Sequence, residues 1–144
     1  MTHLPLVNAD VIAADERAQL LADNRSFITE TVFSHPSKVD LVEEAIIRGY
    51  LVHLHVIIVP VDVAVNRVAE RVRDGGHDVP QQKIRDRYMR LWDLIVHARS
   101  VADRTEFFDN SAARHPFRRV AVYEHSLLLG EPDWPSWAPA SLTV

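Results

Sequence analysis

Apolar residues fill nearly every position of Leu51-Val-His-Leu-His-Val-Ile-Ile-Val59, and many are β-branched. Such a run predicts a parallel strand covered on both faces and central in its sheet. Ser26-Phe-Ile-Thr-Glu-Thr31 predicts a shorter strand. Between the two, Val39, Leu41, Val42, Ala45 and Ile46 recur at helical spacing from Ser37 to Arg48, and Gly49 supplies the stop. Strand, helix and strand within about 34 residues is the length of a right-handed βαβ crossover. Pro60 ends the central strand. Val61 to Arg73 then predicts a helix with Val63, Val65, Val68, Ala69 and Val72 inward, stopped by Gly75-Gly76. A second helix is predicted from Gln81 to about Ser100, with Ile84, Tyr88, Leu91, Trp92, Ile95 and Val96 as its apolar side. Thr105 to Asp109 and Phe117 to Tyr123 predict two further strands. The alternation argues an α/β fold with a mainly parallel sheet flanked by helices. In such sheets ligands sit beyond the carboxyl ends of the strands, so polar residues just past strand ends carry the functional interest.

The pattern changes after Gly130, where Glu-Pro-Asp-Trp-Pro-Ser-Trp-Ala-Pro-Ala places three prolines and two tryptophans in one short stretch. Proline opposes both helix and ladder pairing, so residues 131–144 are expected as an extended tail following a domain of residues 1–130. Trp134 and Trp137 either lay this tail on the domain or offer it to a partner. At 144 residues, 47% of them hydrophobic and 25% charged, the chain has the composition of an ordinary globular domain. The absence of cysteine excludes a disulfide framework, a thiolate metal site and a cysteine nucleophile. A net charge of -4 gives no global field to attract nucleic acid or an anionic membrane. The longest apolar stretch, Val56 to Val61, is far short of the roughly 20 residues of a membrane span. A cytoplasmic location is the expectation.

Three predicted strand ends are polar in a way that suggests chemistry. Leu4 to Asp10 runs into Asn8 and Asp10, Phe27 to Thr31 ends in Glu30 and Thr31, and Thr105 to Asn110 ends in Asp109 and Asn110. Asp10 before Val11-Ile-Ala-Ala also suits a helix N-cap, and the local sequence leaves both roles open. Arg67, Arg71 and Arg73 end one predicted helix; Arg85, Arg87 and Arg90 lie on the next; Asp74-Gly-Gly-His-Asp-Val-Pro80 joins them. Such a hairpin is either a lid whose arginines close over phosphate, or a solvated face with Glu70, Asp74, Asp78 and Asp86 as ion-pair partners. His53 and His55 share a strand face without an evident third metal ligand nearby, whereas His35 and His77 occupy loops of the kind that line sites.

Taken in order, Val7-Asn-Ala-Asp10, Ser26-Phe-Ile-Thr-Glu-Thr-Val-Phe-Ser34, Gly49-Tyr-Leu-Val-His-Leu54, Arg67-Val-Ala-Glu-Arg-Val-Arg-Asp-Gly-Gly-His-Asp-Val-Pro80, Ile84-Arg-Asp-Arg-Tyr88 and Asp109-Asn-Ser111 resemble the zeta toxin family of P-loop kinases, in its compact bacterial branch. The resemblance covers nearly all of residues 5 to 111, and the Gly-Gly-His-Asp-Val-Pro run before the Arg-x-Arg-Tyr helix is its most specific part. It implies a three-layer P-loop kinase-like fold with a helical-hairpin lid, ATP and Mg²⁺ as cofactors, and phosphorylation of a hydroxyl on a nucleotide sugar of the UDP-N-acetylglucosamine type. It also implies an antitoxin protein as partner. Asp10 matches the catalytic carboxylate that orients or deprotonates the acceptor hydroxyl, and Glu30 the substrate-binding carboxylate. Asn8, Thr31 and His35 fall beside them as substrate-binding candidates. Arg71 and Arg87 are the favoured catalytic lid arginines, with Arg67, Arg73, His77 and Arg85 as further lid or phosphate contacts, and Asp109 and Asn110 stand at the nucleotide side.

The sequence also departs from the family. A P-loop kinase holds nucleotide phosphates with a Gly-x-x-x-x-Gly-Lys-Ser/Thr loop, and these residues contain none. The chain has four glycines, at 49, 75, 76 and 130, and two lysines, Lys38 and Lys83. The N-terminal strand and phosphate loop are therefore expected to be missing from the domain. Two readings result: a nucleotide-sugar kinase, or a catalytically inactive module that retains a substrate-binding or antitoxin-binding surface.

Overall fold

A computed structural model describes residues 6–7, 13–76 and 79–144. Strand β1 (Leu6–Val7) precedes helix α1 (Ala13–Ala22), β2 (Ile28–Thr29), α2 (Pro36–Ile47), β3 (His53–Ile58), α3 (Val61–Arg73) and α4 (Gln81–Val101). Strands β4 (Arg104–Asp109), β5 (Arg118–Glu124) and β6 (Leu127–Leu129) follow, and α5 (Ala140–Thr143) is last. Three helices end on backbone that favours glycine or asparagine. Asn24, Gly49 and Gly75 carry φ of 54°, 87° and 99°. Behind each, paired amides fold back on the last turn, as in Gly75 N–H to Val72 O at 3.1 Å and Gly76 N–H to Arg71 O at 2.8 Å. This is the Schellman ending, which satisfies carbonyls that the helix leaves without partners.

The fold is mixed α/β, but its sheets are less parallel than the alternation predicts. β1 and β2 form a parallel pair, with Leu6 opposite Ile28 and Val7 opposite Thr29. A separate sheet has the order β3-β4-β5-β6. Only β3 and β4 are parallel in it, aligned from His53 opposite Arg104 to Ile58 opposite Asp109. β5 and β6 both run antiparallel to their neighbours. The cause is connection length. No helix lies between β4 and β5, and only His125 and Ser126 join β5 to β6, whereas a parallel return needs a crossover of about a dozen residues.

A second correction concerns β3. Among the described residues it lies at an edge of the four-stranded sheet, and its burial alternates. Leu54, Val56 and Ile58 turn inward, while His53, His55 and Ile57 are exposed. The inward face of the sheet meets α4 and α5 through Trp92, Ile95, Phe107, Val120, Tyr123 and Leu142. The outward face carries a charged row instead: Glu106 accepts from Arg104 and Arg119, each at 3.2 Å, with His55 3.9 Å away. That row suits water, so the apolar run of β3 needs cover on one side only.

Phe107 is the fully buried centre of the core, in edge-to-face contact with Tyr123 and Trp134 at centroid distances of 5.8 and 5.1 Å. Residues 131–144 return across this core. Asp133 N–H bonds Val120 O at 2.7 Å, Trp134 and Trp137 pack on the cluster, and Leu142 is fully buried. Arg99 on α4 holds the end in place: its guanidinium lies 4.1 Å from the Tyr123 ring centroid and donates to Leu142 O at 3.0 Å. Burial of Leu142 alone contributes about 2 kcal/mol on transfer arithmetic.

Candidate functional site

The α3–α4 hairpin is built as an anchored base with a free outer part. Pro60 starts α3 and Pro80 starts α4, and neither helix has a side-chain cap at that position. At the base, Tyr88 Oη donates to Val59 O at 2.8 Å, tying α4 to the end of β3. Burial pushes the Tyr88 phenol above its ordinary value of 10.0, so it remains a donor at neutral pH. Arg85 pairs with Asp62 in the first turn of α3 at 3.0 Å, and Arg67 donates to Asn110 O at 3.3 Å. The three contacts join both helices to the strand ends at Val59 and Asn110. Farther out, Val65, Val68, Val72 and Ile84 line a crevice of about 320 Å³ between the arms, together with Arg73.

Arg71, Arg73 and Arg87 are exposed and form no ion pair among the described residues. The expected partners lie elsewhere: Asp86 accepts from Gln82 at 2.9 Å, and the Arg85 partner is Asp62 rather than Glu70, Asp74 or Asp86. Within the hairpin, then, the five candidate lid arginines divide. Arg67 and Arg85 fasten it, while Arg71, Arg73 and Arg87 present permanent charge with forked donors, a combination suited to phosphate oxygens.

The end of β4 is an ordered turn. Asp109, 7% exposed, accepts from Ser111 N–H at 2.8 Å and from Arg118 at 3.3 Å. Burial alone would push this carboxyl up, but the Ser111 and Arg118 hydrogen bonds and the Arg118 charge outweigh it and hold it below 3.8. Arg118 also pairs with Asp133, so the turn is linked to the returning C-terminal segment. Asn110 N–H bonds Ile58 O at 3.1 Å, and its side chain accepts from Phe117 N–H at 3.2 Å. Both residues therefore shape the rim formed by the ends of β3 and β4.

At the end of β2, Glu30 is exposed, and Thr31 Oγ1 donates to Val32 O at 3.4 Å. His35 caps α2: its Nδ1 accepts from Ser37 N–H at 3.1 Å. Asn8, Asp10 and His77 lie outside the described residues. The structure thus gathers Arg67, Asp109 and Asn110 at one rim and leaves Glu30 and Thr31 at the end of β2. Sequence reasoning missed the anchoring hydroxyl of Tyr88, which helical spacing marks only as an apolar-side residue. It also missed Arg118, which no spacing distinguishes from other strand arginines.

The family model described as zeta toxin matches residues 8–126. The chain belongs to the zeta toxin family. The matched span contains Asp10, Glu30, the whole hairpin and Asp109, and it ends before the returning C-terminal segment. No curated protein and no solved structure matches the chain. Zeta toxins are P-loop kinase-like, so the fit of ATP to these residues is a direct test. Gly49 and Gly75 close helix C-termini and Gly130 follows β6, each with positive φ, and Gly76 sits packed against Arg71 O. Helix C-termini present carbonyls rather than amides. The described residues therefore lack the amide nest that holds a triphosphate, and they do not fit ATP. Among them no cluster of three carboxylates or imidazoles is placed to hold a metal ion. No described helix is long and apolar enough to cross a membrane.

Proposed function

We propose that this zeta toxin chain binds a nucleotide sugar of the UDP-N-acetylglucosamine type as the acceptor side of a kinase-like toxin, with an antitoxin protein as its regulatory partner. The observation that carries the proposal is the family match over residues 8–126, which spans both acceptor carboxylates and the arginine hairpin. In this reading Asp10 takes the hydrogen bond of the acceptor hydroxyl and Glu30 fixes the sugar. Asn8, Thr31 and His35 complete the acceptor side. Arg71 and Arg87 meet phosphate oxygens, with Arg73 and His77 beside them. Arg67 and Arg85 hold the hairpin to its base. The free guanidinium groups of Arg71, Arg73 and Arg87 support the assignment, since none is consumed by a carboxylate among the described residues.

Phosphorylation with Mg-ATP belongs to this reading only in a molecule that supplies a phosphate-binding loop, because the described residues do not fit the nucleotide. On the 144 residues alone, binding of the acceptor is the expected activity. Calorimetry with UDP-N-acetylglucosamine tests it. Saturable binding that weakens about tenfold or more in Asp10→Asn and Glu30→Gln, with unchanged melting, is the expected result. Binding indifferent to both carboxylates removes the acceptor assignment.

A further inference from the structure

Buried charge in this fold is otherwise compensated. Asp109 has Arg118 and Ser111, while Arg99 has the Tyr123 ring and the Leu142 carbonyl. Arg17 on α1 is the exception among the described residues. It is 6% exposed, yet its only hydrogen bond there is a long one of 3.4 Å from Nη1 to Thr29 Oγ1, and no described carboxylate lies within ion-pair distance. A guanidinium withdrawn from water without a counter-charge is costly, often by several kcal/mol. Among the described residues, the charge felt by Arg17 from Lys38 is of like sign and does not cancel it. Lys38, in the first turn of α2 and half-buried, has no described acidic partner; burial first and the Arg17 charge second hold its ammonium below the ordinary 10.5.

We infer that Arg17 and Lys38, with the Thr29 hydroxyl between the strand end and α1, form a binding site for a phosphate or diphosphate oxyanion. The guanidinium supplies several directed donors and the ammonium a compact point charge, a pair that matches diphosphate oxygens. The site rests on these side chains and not on the start of α2, because Ser37 N–H is already taken by His35 Nδ1 and Lys38 N–H by His35 O. Thr29 immediately precedes Glu30 and Thr31, so the Arg17 contact lies at the strand end that carries the acceptor candidates. If the bound anion is the diphosphate of the nucleotide sugar, an assignment that rests on the function proposed above, Arg17 and Lys38 are specificity residues for a sugar carried on a diphosphate.

The test is titration of the full chain with inorganic pyrophosphate, UDP-N-acetylglucosamine and uridine at constant ionic strength. Pyrophosphate and the nucleotide sugar are expected to bind saturably and uridine not to bind. Lys38→Gln is expected to weaken both ligands about tenfold or more, and Lys38→Arg to keep most of the affinity. Lys38 is only half-buried, so these variants keep the question open to measurement even where Arg17→Gln fails to fold. A second readout is the Lys38 ammonium titration by NMR, which should move up when pyrophosphate is added, a change that a purely structural lysine would not show. Pyrophosphate affinity equal in wild type and Lys38→Gln, or no saturation at all, overturns the site. Pyrophosphate binding that depends on Lys38 without any binding of the nucleotide sugar supports the anion site and refutes its assignment to that sugar.

Discussion

Gly75 and Gly76 are adjacent, yet the structure gives them different reasons to be glycine, and this difference can be measured. At Gly75 the constraint is conformational: φ is 99° and a Cβ would meet nothing within 4 Å. Alanine there pays left-handed strain of about 1–2 kcal/mol, offset by about 0.4–1 kcal/mol from the stiffer unfolded chain. The net loss is about 1 kcal/mol. Asparagine tolerates this region, so Gly75→Asn should lose less than Gly75→Ala. At Gly76 the constraint is space, because a Cβ would sit 2.9 Å from Arg71 O and 3.3 Å from Arg71 C. Those atoms are backbone, and Arg71 O accepts the Gly76 amide at 2.8 Å. Relief requires the last turn of α3 to open, at a cost of that hydrogen bond, about 1 kcal/mol, plus residual crowding. Urea unfolding of Gly75→Ala, Gly75→Asn and Gly76→Ala, with amide exchange at residue 76, checks this. Gly76→Ala should speed exchange of its own amide, whereas Gly75→Asn should leave it protected. Equal losses for alanine and asparagine at 75, or a neutral Gly76→Ala with full protection, would refute the reasoning.

Other substitutions probe the remaining contacts. Asp109 is depressed in the folded state, so its contribution to stability is complete above its unfolded pKa of 3.8 and is lost as pH falls through the lower folded value; Asp109→Asn should flatten the acid limb of a stability-against-pH curve, as followed by urea midpoints below pH ~4. Leu142→Ala should cost about 2–5 kcal/mol in equilibrium unfolding, since the side chain is fully buried against the Phe107 cluster. Arg71→Ala and Arg87→Ala should leave melting within about 0.5 kcal/mol of wild type. Arg85→Ala removes the exposed pair with Asp62 and should cost at most about 1 kcal/mol.

The parts of this fold that a sequence reader recovers are those punctuated by backbone chemistry. Pro60 and Gly75-Gly76 bound α3, and its observed range, Val61–Arg73, is the one that periodicity predicts. The long apolar run reveals β3 but not its place at a sheet edge, because Ile57 reads as apolar whether covered or exposed. The strand order places β3 at the edge among the described residues, the charged row of Arg104, Glu106 and Arg119 on β4 and β5 explains its exposed face, and pairing between distant strands is invisible in local pattern. β6 is not legible in the sequence, because three leucines after a two-residue turn are too short for a period to register. In the candidate site, Arg-rich composition marks the hairpin, yet only the fold separates the fastening residues Arg67 and Arg85 from the free Arg71, Arg73 and Arg87. The isolation of Arg17 is likewise a property of packing: nothing at position 17 distinguishes it in sequence from a solvated helical arginine.

The function proposed above has these residues recognise the acceptor without by themselves holding the phosphate donor. Paired calorimetry on the 144-residue chain tests it most directly, with UDP-N-acetylglucosamine in one titration and Mg-ATP in the other. Saturable binding of the nucleotide sugar is expected, about tenfold or more weaker in Glu30→Gln, with no saturable binding of Mg-ATP, because no glycine in the described fold builds an amide nest. Tight binding of Mg-ATP, or a nucleotide sugar that does not bind at all, would contradict it.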